Sequence, residues 1–199
     1  MQPSPAEIAR TLSAGRLAGL AYVAYRPGPH RVRHVVDAQG RVLLLVAVDS
    51  DLAEALRPQD GADDIATVID VRDQPPSAAA PSLGRVWISG WARRLGGAEA
   101  SRAALDFAEI LPTGDLLDVG RGFALYHLDV AEVRLQRAGA AFDVDPYDYA
   151  EAEPDPLHHI ERELLVDPDG HHGPEPTGFV RAQLGELPAG QQGEVPPRA

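Results

Sequence analysis

The chain has no cysteine in its 199 residues, and no lysine either: all 18 basic residues are arginine. The first absence excludes disulfides, thiolate catalysis and zinc sites built on sulfur. The second excludes Schiff-base chemistry and a lysine phosphate clamp. A GC-rich codon bias toward Arg, Ala, Gly and Pro is a sufficient explanation of the arginine preference. Methionine occurs once and aromatics make up 6%. No apolar run approaches the roughly 18 residues needed to span a bilayer, and MQPSPAEIAR lacks a basic, apolar secretion signal, so a soluble, cytoplasmic chain with no membrane partner is expected. Gly-x-Ser-x-Gly, His-Glu-x-x-His and paired-Cys motifs are missing as well, which leaves hydrolase and zinc-protease chemistry without support.

Charge is unevenly spread. Residues 1–142 carry 17 acidic side chains against 15 arginines, a net of −2, whereas 143–199 carry 13 against 3, a net of −10. Such a field repels nucleic-acid phosphates, so no nucleic-acid partner is expected.

Hydrophobic content of 44% in a chain of this length is enough to bury a full core. PAEIARTLSAGRLA has helical spacing behind a Ser4 cap, with Pro5 in the first turn. LAYVAY reads as a strand, and RPGPHRVRHVV, DAQG and RVLLLVAV read as a hairpin. Asp49 to Leu56 forms a short capped helix and IATVIDVRD a strand, and the proline-bearing QPPSAAAPSLG is a connection. GRVWISGWARRL then alternates, placing Trp87, Ser89 and Trp91 on one face and Val86, Ile88, Gly90 and Ala92 on the other. The helix AEASRAALDFAEIL sets Ala104, Leu105, Ala108 and Leu111 along one side, and RGFALYHLDVAEVRL returns as a strand of about 14 residues. Two such long paired strands require a closed or strongly coiled sheet. The expected fold is α+β: a six-stranded antiparallel split β-barrel with short helices and a helical C-terminal extension. Its parts are a barrel domain over 1–142, an acidic helical extension over 143–187 containing a helix from Asp155, and a disordered tail over 188–199.

The order of elements from Ala6 to Leu135 resembles the FMN-binding split barrel of the pyridoxamine 5'-phosphate oxidase-like superfamily. The residues that carry the likeness are the hairpin HRVRHVVDAQGRVLLLV, the strand RVWISGWA and the block FAEILPTGDLLDVGRGFALYHLDVAEVRL. The linker DPYDYAEAEPDPL is similar to that of the haem-utilisation branch, whose members carry a small C-terminal module after the barrel. The resemblance implies a homodimer holding a small-molecule cofactor, FMN or haem, in clefts between subunits. Flavin-binding members present Ser-x-Lys or Ser-x-Arg after the hairpin to hold the FMN phosphate. This chain has Asp49-Ser50-Asp51-Leu52 there, and two carboxylates at a phosphate position argue against FMN. The module is degenerate too: Asp167 stands where its first histidine is expected, and Pro168 and Gly170 interrupt the helix.

Haem iron needs an axial imidazole, and its propionates need cations. His171 and His172 match the family's ligand region and are the candidate iron ligands, the alternative being two solvated imidazoles on an acidic loop. Arg72, Arg85, Trp87 and Arg121 are candidates for holding the cofactor, the arginines through two-pronged contacts to a carboxylate or phosphate and Trp87 by stacking. Trp87 and Trp91 are otherwise expected in the barrel core or a subunit interface. His158 and His159 are read as surface residues, and His30 and His34 as the polar outer face of a half-buried strand, the alternative being ligands for two metal ions, since i and i+4 on a strand are too far apart to share one. His127 is read as a dimer-facing or core histidine. The functions left open are haem binding at the subunit interface, a flavin- or deazaflavin-dependent oxidoreductase, and a cofactor-free dimeric interaction protein.

Overall fold

A computed structural model describes residues 3–58, 61–75 and 81–156. The chain divides into two units, 1–166 and 167–199, and every described residue belongs to the first. Asp155 and Pro156 are not helical, and the rest of the helix expected from Asp155, together with His158, His159, His171, His172 and the tail over 188–199, lies outside the described residues.

Helix α1 (Pro5–Ser13) opens with a full capping box: Ser4 Oγ accepts from the Glu7 amide, and the Glu7 carboxylate accepts from the Ser4 amide. That exchange satisfies two of the amides a helix start leaves unpaired. The Ser4 bonds also hold the Glu7 carboxyl below its usual range. The sequence spacing extends this helix to residue 18, but it ends at Ser13. Gly15 takes φ +98, and a Cβ there would come within 2.8 Å of the His34 carbonyl, so the chain turns where only glycine fits.

Strands β1 (Gly19–Val23), β2 (His30–Val36), β3 (Val42–Ala47), β4 (Asp64–Arg72), β5 (Arg85–Arg94), β6 (Phe123–Arg137) and β7 (Ala140–Val144) pair antiparallel in the order β3-β2-β1-β4-β5-β6-β7. A further pairing of β3 with the first half of β6, Val42 opposite Leu128 through Ala47 opposite Phe123, closes six of them into a barrel. Closure depends on the length of β6, which holds β5 along one edge and β3 then β7 along the other. The chain is thus an α+β protein built on a closed six-stranded antiparallel barrel with one extra strand and four short helices among the described residues. Strand β7 is a correction to the sequence reading, which passed from β6 directly to the acidic extension.

Alternation decides what fills the barrel. Val32 and Val36, Val42, Leu44 and Val46, Val86, Ile88 and Ala92, and Ala124, Tyr126 and Leu128 point inward, joined by Ile8, Ala9 and Leu12 of α1. A second apolar layer forms outside, where α3 (Gly97–Ile110) lays Ala100, Ala103 and Phe107 over Val35, Leu43, Leu45 and Leu125. The sequence phase for this helix is thereby corrected by about one position, and Leu105, expected inward, is 68% exposed. The Trp-bearing strand splits its faces as expected, with Val86, Ile88, Gly90 and Ala92 buried. The tryptophans are not core residues, however: Trp87 is half-buried and Trp91 is 48% exposed on the outer face. Helix α2 (Asp51–Ala55) starts at the Ser50 cap, and α4 (Pro146–Glu151) at the Asp145 cap. None of the described helices is long and apolar enough to cross a membrane.

Candidate functional site

The connection after α1, the start of β2, the end of β3 and the start of α2 surround an open cleft of about 710 Å³, within the size range of small-molecule sites. Leu17, Val32, Leu45, Val46, Leu52, Leu111 and Phe123 supply its apolar lining, and Arg16, Arg31, Arg33, His30, Ser50 and Asp51 its polar groups. On β2 the alternation of HRVRH sets Arg31 and Arg33 on the face opposite Val32 and His34, while His30, at the first position of the strand, and Val32 reach the cleft from the other face.

Arg33 is held in place: it donates to Thr113 Oγ1 at 3.2 Å, forms an ion pair with Asp115, and lies 5.6 Å from the Phe123 ring. These contacts tie β2 to the 3-10 turn Gly114–Asp118. Arg31 is exposed, and its side chain has no hydrogen-bond or ion-pair partner among the described residues. A guanidinium so placed has all five donors available for an incoming anion.

Arg31 and Ala18 also line an adjoining pocket of about 450 Å³ with Leu20, Tyr22, Asp70, Arg72, Gln74 and Arg85. Two of the residues expected from sequence, Arg72 and Arg85, line it, and a third, Trp87, stacks against Arg85. Arg85 grips the buried Asp70 carboxylate with two donors, Nε at 2.6 Å, and its guanidinium lies 4.3 Å from the centre of the Trp87 ring. The Asp70 bonds raise the Arg85 pKa, so this arginine stays charged while much of its hydrogen-bonding capacity is committed. Arg72 is exposed and, like Arg31, has no side-chain partner among the described residues. Arg121 stands apart from both pockets and pairs with Asp118 at 3.0 Å on an exposed turn.

The two strand histidines differ. His30 is half-buried at the cleft, its Nε2 at 2.7 Å from the Pro27 carbonyl. His34 is 1% exposed inside the barrel, which corrects the outer-face expectation. Neither of its ring nitrogens has a hydrogen-bond partner among the described residues. Burial pushes its pKa down to about 4, and the nearby Ser13 backbone offsets part of that shift without closing a hydrogen bond. His127 is half-buried outside the cleft, and burial lowers its pKa, with Asp129 opposing.

Ser50 and Asp51 bear on which cofactor the residues fit. Ser50 Oγ donates to the Ala47 carbonyl at 2.7 Å and accepts from the Ala53 amide, so its proton is committed to the chain. Asp51 is an exposed carboxylate. The start of α2 therefore offers a phosphate no side-chain donor. The opposite wall offers arginines, an imidazole and apolar surface, a donor set that suits a planar apolar ligand with carboxylates. Among the described residues no group of three His, Asp or Glu side chains is placed to hold a bare metal ion.

The sequence reading puts the anion contacts on Arg72, Arg85 and Arg121 and does not count Arg16, Arg31, Arg33 or His30 among the cofactor residues. The signal was present in HRVRH, where two arginines fall on one strand face. What was missing was the bend after Gly15 that brings Arg16 and Leu17 alongside that face.

This architecture recurs in solved structures. The chain is similar to a haem-binding protein from Mycobacterium smegmatis, at 22% identity over 85% of this chain and 70% of that one, with a TM-score of 0.64. It is also similar to a protein of unknown function from Agrobacterium tumefaciens, at 20% identity over 84% and 68% of the two chains, with a TM-score of 0.56. At these identities the likeness establishes the fold. No family model matches the chain, and no curated protein matches it.

Proposed function

We propose that this is a dimeric split-barrel protein of the haem-utilisation type, which binds haem in the arginine-walled cleft and its neighbouring pocket. The observation that carries the reading is the juxtaposition of an apolar cleft with Arg31, which lines both pockets, and Arg72, which lines the second, two cations without side-chain partners among the described residues. Haem presents an apolar disc and two carboxylates, so its burial needs this combination. The guanidiniums neutralise the propionates and Tyr22 borders the ligand in the second pocket; the iron ligands expected from sequence, His171 and His172, lie outside the described residues. The haem-binding protein that shares the fold adds to the case.

The proposed dimer would use the outer face of β1, β4 and β5, where Tyr22 at 40% and Trp91 at 48% exposure flank half-buried Leu20 and Val68. Covering such a face would shelter large aromatic surface from water. In the flavin or deazaflavin reading, Arg72 or Arg85 would hold the phosphate. The commitment of Ser50 to Ala47 and the Asp51 carboxylate favour haem over it. The open cleft likewise favours a ligand over a cofactor-free interaction protein.

Titration of the purified full chain with haemin tests the proposal. A saturable Soret band at one haem per subunit, from a species sized as a dimer by light scattering, is the expected result. Absence of tight, stoichiometric uptake removes haem, and uptake of FMN with a yellow spectrum would put the flavin reading in its place.

A further inference from the structure

We propose that His30 is an axial ligand of the haem iron, with Nδ1 as the coordinating atom; the inference rests on the haem reading above. Nε2 of His30 lies 2.7 Å from the Pro27 carbonyl oxygen. A carbonyl can only accept, so Nε2 carries the proton, and in the neutral ring Nδ1 is left with its lone pair. No described residue hydrogen-bonds Nδ1.

The ring's orientation follows from its other edge. A Cβ on Gly28 would stand 3.4 Å from Cδ2 and 3.5 Å from Nε2, so the Cδ2–Nε2 edge lies against the turn. The opposite edge, which carries Nδ1, is turned away from it, and the residue lines the cleft. An imidazole whose outer N–H is tied to a main-chain carbonyl is the arrangement metal-bound histidines use, because it fixes the tautomer and raises the basicity of the ligating nitrogen.

The alternatives among the described histidines fail on position. His34 is sealed inside the barrel, and His127 lines no part of the cleft. The donor count points the same way. A bare ion would need several protein ligands, and none are grouped for it among the described residues, whereas a porphyrin supplies four nitrogens and asks the protein for one or two.

The test compares haemin complexes of the full chain in three forms: unaltered, His30→Ala, and His171→Ala/His172→Ala. Soret position and low-temperature EPR of the ferric state are the readouts. The expected result is a changed ligand-field signature and at least about tenfold weaker retention in His30→Ala, restoration of the spectrum by added imidazole, and a coordinated iron that persists in the double variant. An unchanged spectrum in His30→Ala overturns the assignment and leaves haem binding standing. Failure of the unaltered chain to take up haemin overturns both. Circular dichroism confirms folding, and His30→Gln carries the same comparison if the alanine variant does not fold. One readout needs no haem: nitrogen NMR of the ligand-free chain should show His30 protonated at Nε2, and a ring protonated at Nδ1 also overturns the assignment.

Discussion

The Tyr149 hydroxyl lies 2.7 Å from the Ser13 hydroxyl, with both side chains fully buried. Ser13 Oγ donates to the Ala9 carbonyl at 2.8 Å, so the tyrosine is the donor between them. Around this pair α4 is fastened to α1. Arg10 lies 5.6 Å from the Tyr149 ring and donates to the Ala152 and Asp37 carbonyls, and the Asp155 amide donates to Thr11. The acidic linker thus starts from a fixed point on the barrel. Tyr149→Phe removes one buried hydrogen bond and should cost about 1 kcal/mol, whereas Tyr149→Ala adds a cavity and should cost about 3–5 kcal/mol. Urea unfolding curves check both, and equal losses in the two variants would contradict the packing account.

Buried His34 makes the fold sensitive to acid. Its folded pKa is depressed to about 4, against about 6.5 in an unfolded chain. The neutral ring is therefore the form the fold selects, and the stability it contributes is complete above about pH 6.5 and lost as the pH falls toward 4. A shift of that size corresponds to about 3 kcal/mol over the window. His34→Leu removes both the titration and two polar atoms without hydrogen-bond partners among the described residues. It should flatten the dependence of the urea midpoint on pH between 6.5 and 4.5 and raise stability at neutral pH by about 1 kcal/mol. A variant as acid-sensitive as the parent would place the titration elsewhere.

Gly90 sits where β5 and β6 slip register, and a Cβ there would come within 1.9 Å of the Asp129 carbonyl oxygen. No rotamer relieves a clash with backbone, so Gly90→Ala must push the two longest strands apart at the bulge. Because β6 also closes the barrel through β3, the expected loss is about 3 kcal/mol or more. The neighbouring Ser89→Ala change, on the outer face, should cost under about 0.5 kcal/mol. Thermal unfolding of the pair separates the backbone effect from the side-chain effect.

Much of the barrel was legible because its strands state their faces. The alternation of Val86, Ile88 and Ala92 against Trp87 and Trp91, and the turn residues between HRVRHVV and RVLLLVAV, are local signals that survive into the fold. Closure of the sheet was inferable only from strand length, since the pairing of Leu44 with Tyr126 is distant in sequence. His34 was misread because an alternating strand records which residues share a face and not which face is buried. Here α1 covers the barrel end, and a Cβ on Gly19 would press to 2.9 Å from His34 Nδ1, so the imidazole occupies space that a small neighbour leaves. At the site, Arg72, Arg85 and Trp87 do converge, but Arg85 is already tied to Asp70. A bidentate ion pair across two strands has no signature in a single sequence, so the committed arginine could not be told from the available one.

The distinction between committed and available arginines gives the final prediction. Arg31 is shared by both pockets and its side chain has no partner among the described residues, whereas Arg121 lines neither and is paired with Asp118. Both are exposed single cations, so loss of net charge affects long-range attraction of an anionic ligand equally in the two alanine variants. What differs is contact. A charge-assisted hydrogen bond between Arg31 and a propionate should make haemin about tenfold weaker in Arg31→Ala, while Arg121→Ala stays within about twofold of the parent. The Arg31 contact lies near solvent, so raising salt from 50 mM to 500 mM should narrow the gap between parent and Arg31→Ala. Equal weakening by the two variants would reduce the effect to overall charge and move the carboxylate contacts away from the shared wall. A larger loss in Arg121→Ala would transfer them to the turn before β6.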